Sequence, residues 1–353
     1  LVLYSTSRYG INLSPDSVGY IASARNFRAG EGFLNYDKTP LVAQPPLYPL
    51  FLAIVDYVTR IGVVYTASIL NALFFGFVIY YSGSVILKDA QHPPFIGVLG
   101  ATVVLIGLPV LEVSLWLWTE ILFIALTLLF LTYAERYGGD PDRSSLVAMS
   151  LFAGLACLTR YIGVTMILTG LIVILVAKLS RRGVGLHRDI LLFLCVTVCP
   201  LAVWLARNYL ASGTLMGERA PSIHSFGENL TLTFQTLLMW FLPQRVSAHR
   251  SVLLLIGMAL GYLIGVNSTR ITDWLKSNSW LMKFLPYGAF IAVYTIFLVI
   301  SSTITAYDDI GTRLLSPIYI PLVIVASRGI GSMLESGSRK MACRLVLIIA
   351  LMV

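Results

Sequence analysis

SPDSVGYIASARNFRAGEGFLNYDKTPLVAQPPLYPL, residues 14–50, is a polar, aromatic stretch punctuated by glycine and proline, set ahead of a chain that is otherwise close to unbroken membrane sequence. It carries Asp16 near its start and a Gln-Pro-Pro near its end. Of the 353 residues, 57% are hydrophobic and 12% charged, and the mean hydropathy is +0.83. Soluble domains average about 25% charged residues, so this chain lacks the polar surface of one. It reads as an all-α polytopic membrane protein whose bundle holds residues 14–50 over a substrate. The net charge of +8 fits basic loops that orient a membrane protein, and no nucleic-acid partner is expected.

Apolar runs at 64–87, 95–110, 113–134, 146–159, 161–178, 189–206, 251–266, 284–301, 314–327 and 341–353 predict membrane helices. An isolated span needs roughly 20 residues to cross about 30 Å of hydrocarbon, so the shorter runs require a bundle around them. The expectation is a single domain, 1–353, of about 10–12 transmembrane helices. Two large outer loops carry short interfacial helices: residues 1–63 and 207–250, with the bundle at 64–206 and further helices at 251–353. Both ends read as cut, because LVLY looks like the last turn of a preceding helix and the final run stops midway.

Lys88, Arg136, Arg143, Lys178, Arg181, Arg182, Arg188, Arg270, Lys276, Lys283, Arg328, Arg339, Lys340 and Arg344 fall in short connections on one side. Residues 14–50 are therefore placed outside the cytoplasm. To keep the KLSRRGVGLHR connection inside, the chain has to turn near Arg160. Residues 230–242 are too short to span comfortably and read as an interfacial or re-entrant helix. If they did span, everything downstream would invert and Arg313 would lie on the side opposite Asp16.

With that orientation Asp16, Glu120, Arg160, Arg207, Asp308, Asp309 and Arg313 gather at the outer face. Ionisable groups are expensive there and by default are candidates for function. An acid beside arginines suits group transfer from a phosphate: the acid activates an acceptor, and planar guanidinium groups hold the leaving phosphate. The bland alternatives are a helix cap for Asp16, headgroup snorkelling for Arg160 and Arg207, a plain stop at Gln44-Pro45-Pro46, and a solvated helix start around Asp308. Trp116, Trp118, Trp204 and Trp240 resemble an aromatic belt. The four cysteines lie in apolar runs and the four histidines are scattered, so no disulfide framework and no histidine metal site is expected. A divalent ion held by Asp16 and Glu120 is kept as an alternative.

Several segments then line up in order: Asp16-Ser-Val-Gly-Tyr20 with Ala24, Gly30-Glu-Gly32-Phe33, Gln44-Pro-Pro-Leu-Tyr48-Pro49, Leu117-Trp-Thr-Glu120, Gly154-Leu-Ala-Cys-Leu-Thr-Arg160, Trp204-Leu-Ala-Arg207-Asn208 and Arg313-Leu-Leu-Ser-Pro317. Together they resemble the C-type membrane glycosyltransferases, and most nearly the protein mannosyltransferase and lipid A aminoarabinose transferase branch. Gln44 stands where that branch often has a lysine. The resemblance implies a transferase that moves a sugar, with inversion, from a polyprenyl-phosphate donor to a glycan, lipid or protein acceptor at the outer face. By the same analogy Asp16 is the catalytic base or the acid that orients the acceptor, and Glu120 is a second catalytic candidate. Arg160, Arg207 and Arg313 hold the donor phosphate, while Tyr20, Gln44, Tyr48, Asp308 and Asp309 line the pocket. A prokaryotic inner (plasma) membrane is the expected location. The alternatives are a ligase of the same fold that moves a lipid-linked oligosaccharide, a lipid transporter, and a non-catalytic subunit of a larger membrane assembly.

Overall fold

The computed structural model describes residues 1–88, 94–180, 185–240 and 278–335, and within them the chain is all α, with only isolated β-bridges between loops. The first 63 residues form three helices: α1 (Val2–Thr6), α2 (Pro15–Arg28) and α3 (Leu47–Thr59). The bundle follows with α4 (Val63–Leu87), α5 (Pro94–Ile106), α6 (Leu108–Ser114), α7 (Glu120–Gly139), α8 (Arg143–Thr159), α9 (Val164–Ser180), α10 (Leu186–Ser212), α11 (Phe226–Met239), α12 (Asn278–Ile304) and α13 (Thr312–Glu335).

Six of the described helices are long and apolar enough to cross a membrane, and seven if α5 and α6, bent by 50°, form one span. The expected runs at 251–266 and 341–353 and the end of the second loop, 241–250, lie outside the described residues. The break between α5 and α6 is matched by a residue of α13. A Cβ at Gly107 would come within 2.4 Å of the Tyr319 hydroxyl, and that hydroxyl donates to the Val103 carbonyl at 3.0 Å, the group an unbroken helix would have bonded to residue 107. A freed carbonyl at membrane depth is thereby satisfied.

α7 is the most buried span, with Phe123, Phe130, Leu131 and Tyr137 wholly enclosed. Small residues let neighbouring helices close on one another. Gly154 of α8 lies where a Cβ would be 3.2 Å from the Val196 carbonyl of α10, and Thr197 donates to the Ser150 carbonyl at 3.1 Å. Large apolar side chains point outward instead, such as Leu191, Val203 and Leu210 of α10 and Tyr65, Ile69, Leu73 and Tyr80 of α4. In lipid such exposure costs nothing, and close packing holds helices together in place of the hydrophobic effect. α11 shows the same inversion: Asn229, Thr233 and Thr236 are buried, whereas Phe226, Leu230 and Phe234 are exposed.

The polar contacts sort into two ends. At one, the starts of α7 and α13 meet α2, and the end of α10 meets the loop after α2. At the other, Lys178 pairs with Asp189 at 2.7 Å, and Arg328 with Glu135 at 3.0 Å. Arg313 and Asp16 thus share an end, and the inverted arrangement does not occur. The turn expected near Arg160 is present: α8 stops at Thr159, Arg160 is extended (φ −148°, ψ 136°), and a short 3-10 turn (Tyr161–Gly163) leads into α9.

That turn folds back onto α8 so closely that a Cβ on Gly163 would lie 2.6 Å from the Cys157 nitrogen. Backbone cannot give way as a side chain can. Gly163→Ala is expected to cost about 1–3 kcal/mol through overpacking, and to lower the thermal unfolding temperature of the detergent-solubilised protein. An unchanged unfolding temperature would contradict this packing.

Candidate active site

Ser14 caps α2 through a capping box with Ser17, Pro15 occupies the first turn, and Asp16 follows it beside the positive end of the helix dipole. The capping role weighed for Asp16 thus belongs to Ser14, leaving the carboxylate for other contacts. Three further contacts tie this helix start to residues 115–118. The Leu117 N–H donates to the Asn12 carbonyl at 2.9 Å, the Ser17 hydroxyl donates to the Leu117 carbonyl at 2.9 Å, and the Trp118 indole N–H donates to the Ser14 hydroxyl at 2.7 Å. From the opposite side Asn71 of α4 donates to the carbonyls of Ser114 and Trp116. The segment that presents Trp118, Thr119 and Glu120 is therefore gripped from both sides.

An ion network sits on this frame. Glu120 is fully buried and pairs with Arg160 and with Nε of Arg313, the latter at 2.7 Å. Arg313 extends its other two nitrogens to Asp16 and, at 2.8 Å, to Asp308. Its guanidinium lies 4.2 Å from the centre of the Trp118 ring, a cation–π contact. Arg160 also donates to Thr119 at 3.1 Å, and Gln44 donates to the second oxygen of Asp16 at 3.1 Å. A lone buried carboxylate is costly, and removing one partner of such a pair typically costs about 3–5 kcal/mol. Glu120 is tolerated because two arginines enclose it.

The network borders a cavity of about 830 Å³. Asp16, Tyr20, Gln44, Arg160, Asp308 and Arg313 line one part, while Ile162, Val164, Leu201, Leu205, Phe297 and Leu298 make an apolar wall. Burial, and then the Asp16 carboxylate, push the Tyr20 hydroxyl well above the ordinary tyrosine range. It therefore faces the cavity as a neutral donor. Asp16 and Glu120 share the guanidinium of Arg313, which occupies the place a cation between them would need. These two residues do not fit the divalent site kept as an alternative.

Other expected site residues lie elsewhere. Arg207 does not line the cavity. It donates to the carbonyls of Leu41 and Phe33 at 2.7 and 2.9 Å and lies 4.8 Å over the Trp204 ring, so it clamps the loop after α2 onto α10. Tyr48 is fully buried, edge-on beneath Tyr20 at 5.3 Å. Asp309 points away and meets His224 at 3.0 Å. The aromatic-belt expectation is corrected for Trp118 and Trp204, both buried inside the protein. Trp118 lies under Arg313 and stacks on Trp116 at 4.6 Å, Trp204 packs edge-on to Phe33, and Trp240 edge-on to Tyr319.

Sequence reasoning missed Arg219, which lines the cavity, donates to the Ala43 carbonyl at 3.0 Å and lies over Tyr307. Nothing in its loop sequence marked it. Trp118 was within reach, two positions before Glu120. Tyr161 was also missed, a cavity residue whose hydroxyl donates to the Val42 carbonyl at 2.7 Å.

No family model matches the sequence, and no curated protein matches it. Two solved structures do share its form, both of ArnT from Cupriavidus metallidurans. The apo structure is 17% identical with a TM-score of 0.62, covering 93% of this chain and 57% of that one. The structure bound to undecaprenyl phosphate is 18% identical with a TM-score of 0.60, covering 98% and 62%. The chain thus spans about three fifths of the length of the proteins it matches. The resemblance read from the sequence motifs and the likeness of the folded chain agree: this is a polytopic membrane protein with the fold of the C-type membrane glycosyltransferases, in the form seen in ArnT.

Proposed function

We propose that the chain is a membrane glycosyltransferase that moves a sugar from a polyprenyl-phosphate donor to an acceptor at the extracytoplasmic face. The observation that carries this reading is the cavity itself, lined by the carboxylates of Asp16 and Asp308, the guanidinium groups of Arg160, Arg219 and Arg313, and an apolar wall. Such a space suits a ligand with a charged head and a long apolar tail. The ArnT structure with undecaprenyl phosphate supports the same class of donor. The sidedness rests on the basic residues Lys88, Arg136, Arg143, Lys178, Arg188 and Arg328, which lie towards the opposite ends of the helices.

In this reading the prenyl chain lies along Ile162, Leu201 and Phe297, and the phosphate meets Arg160 and Arg313, with Arg219 at the rim. Asp16 accepts the proton of the acceptor hydroxyl or amine as that atom forms its bond to the anomeric carbon. The bond from that carbon to the phosphate oxygen breaks, and its electron pair leaves on the polyprenyl phosphate. Arg160 and Arg313 compensate the growing charge. Attack from the face opposite the leaving group inverts the anomeric centre. Glu120 sits behind the arginines, so its part is to hold them in place. Arg207 acts on the fold of the outer loop, away from the phosphate.

Transfer from labelled polyprenyl-phosphate monosaccharides in membranes carrying the full-length protein tests this. Asp16→Asn is expected to lower it about 10²–10⁴-fold, the usual weight of a general base. Undiminished transfer in this variant would remove Asp16 from the chemistry. Transfer from no donor, by the native protein, would contradict the reading as a whole.

A second outcome concerns Trp118, whose ring face supports Arg313. Trp118→Leu is expected to lower kcat/KM roughly tenfold, as loss of a desolvated cation–π contact implies. The same change in an Arg313→Ala background should add little, because contacting residues are not additive. Equal losses in both backgrounds would show that Trp118 acts only through stability.

A further inference from the structure

A second cavity, of about 520 Å³, lies at the same end of the bundle, lined by Arg25, Arg28 and Ala29 of α2, Asp56 of α3, and Gly62 and Val63 where α4 begins. Asp56 is its anchor. Only 1% exposed, it accepts the Gly62 N–H at 2.7 Å through one oxygen and pairs with Arg28 through the other. Arg28 is fixed by this pairing yet keeps 49% of its side chain exposed. The side chain of Arg25 has no hydrogen-bonded or ionic partner among the described residues. Two guanidinium groups against one carboxylate leave the lining with a net positive charge. Arg60 adds a further exposed cation in the adjoining turn, where it closes α3 in the left-handed conformation at φ 57°.

The surroundings are those of a membrane interface. Tyr57, Val58 and Ile61 are exposed on the approach to α4, and Tyr65, Ile69 and Leu73 continue as an exposed stripe down α4. A positive cavity thus opens at the head of an apolar, lipid-facing helix surface. The end of the bundle opposite the basic connections is where arginines are least expected, and here two line one cavity and a third stands in the adjoining turn.

We propose that this cavity binds the phosphate headgroup of an anionic membrane lipid, with Arg25 and Arg28 on the phosphate and the acyl chains along the exposed stripe of α4. Guanidinium forks match phosphate oxygens in geometry and charge. The Gly62 and Val63 end of α4 adds the positive end of a long helix. Because Arg25 and Arg28 stand on the helix that carries Asp16 at its other end, a bound lipid pins that helix at the membrane surface. The assignment is independent of sugar transfer, since it needs only a membrane and this cavity.

Native mass spectrometry of the full chain released from nanodiscs of mixed phosphatidylcholine and phosphatidylglycerol reads it directly. The native protein is expected to retain phosphatidylglycerol in preference to phosphatidylcholine. Arg25→Gln should lower that retention about fivefold, the usual weight of one basic residue at an anionic surface, at an unchanged unfolding temperature. Arg28→Gln combined with Asp56→Asn removes the second guanidinium without stranding a buried carboxylate, and should lower retention as well. Equal retention of the two lipids by the native protein, or native-like retention in both variants, would overturn the proposal. So would displacement of no lipid alongside tight uptake of inorganic phosphate, which would assign the cavity to a soluble anion.

Discussion

The contact between Arg313 and Glu120 governs the organisation of this end of the molecule. A carboxylate with no exposure at the head of the most buried helix is tolerable only with cations against it. Arg313 supplies one from α13, and Arg160 the other from the turn between α8 and α9. Three parts of the chain distant in sequence must therefore arrive together, and Arg313 then has nitrogens left over for Asp16 and Asp308. The placement of Asp16 is in this sense a consequence of the burial of Glu120.

The outer loop is shaped by the same economy of polar groups. Its backbone carbonyls at Phe33, Leu41, Val42 and Ala43 accept from Arg207, Tyr161 and Arg219, so side chains from outside the loop complete the hydrogen bonding of a segment that forms no helix. Gln44 follows directly and meets Asp16. One face of the cavity is thus built by the loop and the other by the spans, and neither makes a site alone.

Much of the fold was legible because hydropathy reports length and spacing. The runs at 64–87, 189–206 and 284–301 fall inside α4, α10 and α12, and the charge rule located the turn at Arg160 before any geometry was known. The break between α5 and α6 was less legible, since it depends on Tyr319 closing on Gly107 from a distant helix. Asp16, Glu120, Arg160 and Arg313, which meet in one ion network, stood out in the sequence because charge near a membrane has few inexpensive explanations. Arg207 carried the same signal but turns to loop carbonyls. The sequence reports that a cation is present at a boundary and cannot report which acceptor its fork will face. Trp118 and Trp204 were misread for a related reason: hydropathy does not distinguish a tryptophan that faces lipid from one packed against an arginine, and here packing decides.

In the proposed function the cavity beside Asp16 receives a polyprenyl phosphate with its head at the arginines. The most direct test is a structure of the full-length protein with such a lipid bound. Phosphate density is expected within hydrogen-bonding distance of Arg160 or Arg313, with the prenyl chain along Leu201 and Phe297. Phosphate bound away from both arginines, with the Asp16–Arg313–Glu120 network unchanged, would contradict it.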